Sequence, residues 1–146
     1  MKKVLCAMLA MILMAGMFTS CKGDKADPTL EPVAGKAYHY DDPIYPGGYI
    51  DLKFHMNYGV TQVILQNTGA LKQTDKSCKW KMENGKEISI YFKKGTKMLD
   101  PTTMDPVDVG GQEFYHGTYD AASGDLHLKV VFGGVPSGDM VFHEVK

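Results

Sequence analysis

Five histidines, His39, His55, His116, His127 and His143, are the first candidates for acid–base or metal chemistry in this chain. No two share the spacing of a His-Glu-x-x-His pair, and His55 and His127 fall on outward positions of alternating stretches, where a solvated imidazole is ordinary. No metal site is assigned to them. Asp100, Asp105 and Asp108 in "DPTTMDPVD" offer oxygen ligands, but their spacing matches no calcium loop, and aspartate before proline is turn chemistry. Ser77, Ser89, Ser123 and Ser137 lie in no Gly-x-Ser-x-Gly motif, so no activated nucleophile is marked. Paired carboxylates for glycoside chemistry depend on spatial pairing, which leaves a small hydrolase as the minor alternative. No catalytic residue, cofactor or metal is expected.

The densest recognition chemistry is "YHYDDPIYPGGY", residues 38–49, with Tyr38, Tyr40, Tyr45 and Tyr49 as candidate ligand-binding residues. Tyrosine supplies amphipathic contact area at low entropic cost. Pro43 and Pro46 limit the freedom of the segment before binding. The expectation is a loop at one end of the domain with Tyr40, Tyr45 and Tyr49 exposed. The competing reading folds these rings back over the core as a lid.

Of the three cysteines, Cys6 and Cys21 belong to the N-terminal segment and Cys78 stands alone beyond it. Cys78 alternates with Trp80 and Met82, the position of a buried small hydrophobe rather than a reactive thiol. Cys21 is different. Lys2 and Lys3 precede an uninterrupted apolar or small run, Val4 to Phe18. Such a run makes about 22 Å of helix, too short for a bilayer core of about 30 Å, and reads as a secretory signal over residues 1–20. Phe18-Thr19-Ser20-Cys21 resembles the lipobox of bacterial lipoproteins. That resemblance implies cleavage before Cys21, lipid on Cys21, and a membrane partner at the outer membrane, on the periplasmic face or the cell surface. Lys22-Gly23-Asp24-Lys25 is similar to the early residues of Bacteroidota lipoproteins carried to that surface. An ordinary cleaved signal peptide is the alternative.

Residues 21–34, with Pro28, Pro32 and no hydrophobic period, read as a lipidated N-terminus and flexible tether, leaving residues 35–146 as one domain. The chain contains no arginine and, without Lys2 and Lys3, carries 14 lysines against 17 acids. This balance disfavours nucleic acid and bidentate phosphate capture.

The elements that must position these residues are strands. "YIDLKFHM" alternates with Ile50, Leu52, Phe54 and Met56 on one side, and "VTQVILQ" is a β-branched run covered on both sides. "CKWKMENGKEISIYF" reads as a hairpin over a three-residue loop, Glu83-Asn84-Gly85, with a left-handed Gly85 in a bulge. That register sets Trp80 opposite Ile88, Cys78 opposite Ile90 and Lys81 opposite Glu87. A second hairpin, "EFYHGTYD" with "GDLHLKVVF", turns at Ala121–Gly124 and directs Leu126, Leu128, Val130 and Phe132 inward. "GDMVFHEV" ends the chain after the Gly133–Gly138 turn.

About eight antiparallel strands follow, an all-β up-and-down barrel or a curved sandwich. Gly35-Lys36-Ala37-Tyr38 and Gly117-Thr118-Tyr119-Asp120 are similar to small lipocalin-like domains of bacterial lipoproteins, without the tryptophan usual in lipocalin openings. The resemblance implies a lipocalin-like barrel. Its inward set would be Phe54, Met56, Trp80, Met82, Ile88, Ile90, Phe92, Leu128, Phe132, Met140 and Phe142, bulky enough to fill an eight-stranded interior. The expected function is a non-catalytic, lipid-anchored module binding a small molecule, glycan or protein, with a structural subunit of an envelope complex as the alternative.

Overall fold

The computed structural model describes residues 24–44, 46–66, 71–134 and 138–146. The signal segment and Cys21, the candidate Tyr45, and Ser137 with part of the Gly133–Gly138 turn lie outside the described residues.

The chain is all-β, and eight antiparallel strands close into a barrel. They are β1 (Ala37–Asp41), β2 (Tyr49–Phe54), β3 (Gly59–Gln66), β4 (Leu71–Glu83), β5 (Glu87–Phe92), β8 (Glu113–Tyr119), β9 (Leu126–Val130) and β10 (Met140–Glu144). Each pairs with the next along the chain, and β10 returns to β1, setting His39 opposite His143. Between β5 and β8, a separate two-stranded flap is made by β6 (Lys97–Leu99) and β7 (Pro106–Asp108).

Alternation decides which side chains enter the barrel. Tyr38, Leu52, Phe54, Val60, Trp80, Ile88, Ile90, Tyr115, Leu126, Leu128 and Phe142 are at most 2 % exposed. Met82, Val130, Phe132 and Met140 pack on that core from its rims. Met56 does not join them: it sits in the β2–β3 turn and is 38 % exposed. Nor is β3 a doubly covered strand. Its inner face carries Gln62, buried and donating its amide N–H to the Tyr115 hydroxyl at 3.1 Å.

The β4–β5 hairpin has the three-residue loop expected, shifted one residue along, to Asn84–Lys86. Trp80 therefore stands opposite Ile90, Cys78 opposite Phe92 and Lys81 opposite Ser89. Asn84 as well as Gly85 adopts a left-handed conformation, φ 54° and 62°, and the Lys86 N–H bonds the Glu83 carbonyl. Asparagine tolerates this region better than glutamate does, so the turn starts at Asn84. The faces are unchanged, because the pairing moves by an even number.

The end where β1 starts, here the base, is covered by residues 26–36. This corrects the flexible tether expected there. Ala26, Val33 and Ala34 are buried, and the Ala26 N–H bonds the Met56 carbonyl at 2.7 Å. Gly35 and Lys36 bond the Phe54 backbone, and the Tyr58 hydroxyl donates to Glu31 at 3.0 Å. The opposite end, the mouth, carries residues 42–44 and 46–48, the flap, residues 131–134 and residues 138–139.

Candidate functional site

The tyrosines proposed from sequence do not converge. Tyr38 is wholly buried in the barrel, edge-on to Phe54 at 5.6 Å, which removes it from any recognition surface. Its hydroxyl is the buried side-chain polar atom without a hydrogen-bond partner among the described residues, and burial above all holds it protonated. Tyr40 turns inward too, its ring stacked on Phe142 at 5.2 Å. Tyr49 lies on the outer wall against His39, ring centres 5.4 Å apart. Regular strands through residues 37–41 and 49–54 impose this division, because neighbouring positions face opposite ways. Tyr38 and Tyr40 thus belong to strand β1 rather than to a loop, and face the core.

The titratable groups gather instead on the outer wall. His39 is clasped between Asp51, 2.6 Å from Nδ1, and Asp41, 3.1 Å from Nε2. The Asp51 hydrogen bond raises the imidazole pKa most, against partial desolvation. His143 Nδ1 meets Asp125 at 3.0 Å. Cys78 lies buried, its thiol pushed up to about 11 by burial, so it is no nucleophile at neutral pH.

The most connected group is Ser89, Glu113 and His116, on the outer wall of β5 and β8. A bulge builds it. Ile90 pairs with Tyr115 and Tyr91 with Glu113, leaving Phe114 as the extra residue. Phe114 folds against Phe92 and Phe132 at the mouth, ring centres 5.3 and 6.1 Å away. Glu113 is thereby carried to the outer wall, since bulges re-aim the residues beside them. Its Oε1 reaches His116 Nδ1 at 2.8 Å, and Ser89 Oγ reaches the same nitrogen at 3.2 Å. Partial burial pushes the Glu113 carboxyl up, but hydrogen bonds to Ser89 and His116 outweigh it, and the pKa falls. Lys81, opposite Ser89, adds a cation.

Serine, histidine and glutamate in one cluster invite comparison with a hydrolytic triad. The geometry is wrong for one. A general base must bond the nucleophile through one ring nitrogen and its orienting carboxylate through the other. Here both partners share Nδ1, so the imidazole cannot pass a proton between them. The cluster suits holding polar groups in place.

The sequence reading missed this cluster. Ser89 was marked outward by Ile88 and Ile90, yet Glu113 shares the inward phase of Tyr115, and only the bulge reverses it. Among the described residues no group of three or more histidine, cysteine, aspartate and glutamate side chains is placed to hold a metal ion.

At the mouth, Ile44, Met98, Leu99, Met104 and Val107 are 42–74 % exposed, four of them on or beside the flap. At the base, a groove of about 640 Å³ runs between residues 25–31 and the β4–β5 turn. Comparison with protein-family models, curated proteins and solved structures gave no match.

Proposed function

We propose that this chain is a non-catalytic binding module of the bacterial cell envelope, anchored at the outer membrane by lipid on Cys21, with its mouth loops turned toward a partner. The observation that carries the reading is the docking of residues 26–36 across the base. Ala26 is fixed to the β2–β3 turn by its hydrogen bond to Met56. Four residues lie between it and Cys21, so the five steps of chain reach about 17 Å at most. A lipid at Cys21 therefore holds the base near the membrane and points the opposite end away from it. That end bears the exposed Ile44, Leu99, Met104 and Val107. Apolar side chains grouped on loops and uncovered by the domain itself are a common mark of protein contact. The bulky buried side chains Tyr38, Phe54, Trp80, Tyr115 and Phe142 support recognition on loops and outer wall over carriage of a ligand inside.

Two measurements test it on the complete chain. Labelled fatty acid should enter the wild type and not Cys21→Ala, and equal labelling ends the anchor. A photo-crosslinking side chain at Leu30, on the base, should capture lipid, whereas one at Leu99 should capture protein. The reverse pattern ends the proposed orientation.

A further inference from the structure

Direct pairing aligns Lys81, Ser89 and His116 in one row across β4, β5 and β8. Tyr91 and Glu113 make the next row toward the mouth. Two hollows of about 350 and 210 Å³ lie along these rows and share Lys81, Ser89 and Glu113. Tyr91 lines the first and Glu87 the second. Together they form an open trough along the wall of the barrel, from Gly111 on the mouth side to Glu83 and Glu87 beside the β4–β5 turn.

The lining chemistry narrows what fits. Lys81 donates, Glu87 and Glu113 accept, and Ser89 does both. A phosphate or other anion would meet Glu83, Glu87 and Glu113 in the second hollow against Lys81, itself paired with Glu83 at 3.3 Å, and the chain has no arginine to add. An apolar ligand would strand these polar groups without partners. A ring bearing hydroxyls satisfies both conditions. Each hydroxyl donates and accepts, and the C–H face of a pyranose packs on an aromatic side chain such as Tyr91. The polar groups are also held before any ligand arrives, since Glu113 is fixed by His116 at 2.8 Å. Pre-organisation of this kind lowers the ordering cost of binding.

We infer that the outer wall of β4, β5 and β8 is a binding site for neutral saccharides. Tyr91 is its stacking platform, and Lys81, Ser89 and Glu113 bond the hydroxyls. Because the trough is open along its length, it takes an internal stretch of a glycan chain as readily as an end. The site is separate from the mouth and does not depend on the lipid anchor.

The test is calorimetric titration of the complete chain in detergent with short oligosaccharides of glucose, mannose, galactose and xylose, and with oligogalacturonate as an acidic probe. At least one neutral probe should bind at about millimolar concentration or below. Tyr91→Ala and Glu113→Gln should each weaken that binding about tenfold or more, as expected for anchor residues. Lys53→Ala, on the outer face of β2, should leave it unchanged. Lys81→Met, at an exposed position, gives a second reading should Glu113→Gln melt early. Binding of no neutral probe, preference for oligogalacturonate, or undiminished affinity in Tyr91→Ala and Lys81→Met overturns the site.

Discussion

Glu113 and His116 are three positions apart on β8, a spacing that puts side chains on opposite faces of a regular strand, yet their Oε1 and Nδ1 atoms are 2.8 Å apart. The extra residue, Phe114, turns an odd spacing into a shared face. One aromatic packed at the mouth thus sets the charge pattern of the outer wall.

This contact has a pH signature. The Glu113 pKa lies below its usual 4.5, so the carboxylate stabilises the fold above that value and loses the contribution as pH falls through the folded value. Glu113→Gln should narrow the stability gap from wild type as pH drops below about 4.5. The pair is partly exposed, so the effect at neutral pH is about 0.2–1 kcal/mol. Denaturant midpoints across the acid range check it, and a gap that stays constant refutes it.

His39 works in the opposite direction. Its pKa is raised above 6.5, chiefly by Asp51, so its contribution is full below 6.5 and disappears as pH rises through the folded value. His39→Gln should therefore cost more at about pH 5.5 than at about pH 8, by under about 1 kcal/mol for so exposed a pair. Equal losses at the two pH values would place the stability elsewhere than in the ion pair.

Trp80 is wholly buried, edge-on to Phe54 at 5.8 Å, tilted on Tyr58 at 5.0 Å, and donates its indole N–H to the His55 carbonyl at 3.0 Å. Trp80→Ala should cost about 3–5 kcal/mol in chemical unfolding. The wild-type emission should be that of a shielded indole. A water-exposed spectrum from the folded chain would contradict this packing.

Much of the barrel could be read from its alternation. Leu52, Phe54, Trp80, Ile88, Leu126 and Phe142 announce the inner face because a two-residue period leaves only one phase for each strand. The Tyr38–Tyr49 stretch misled for a related reason. Clustered tyrosines look like a surface, but Tyr38 and Tyr40 fall on the inward phase of β1 and Tyr49 on the outward phase of β2. Residues 26–36 carry no period at all, so nothing local marks Val33 as the plug of the base. Phe114 was hidden because a bulge is settled by the partner strand rather than by its own residues.

Gly117 gives the sharpest test of strand packing. A Cβ built there would run into the His127 carbonyl oxygen and lie 2.9 Å from Leu128 Cα, both backbone atoms. Backbone cannot step aside without parting β8 from β9. Gly117→Ala should cost about 3 kcal/mol or more, or prevent folding. A thermal melt equal to wild type would show that the two strands are not so close.

The seam between β1 and β10 has a consequence for how the molecule assembles. Lys36 and Glu144 meet there at 2.9 Å although 108 positions separate them. Until β10 is in place, β1 and β9 both offer unpaired backbone, and the sheet is an open ribbon with its apolar side uncovered. Contacts of such long sequence separation form slowly, because the whole intervening chain must be ordered first. β10, seated between β9 and β1, is the clasp that removes both sheet edges and covers the apolar side.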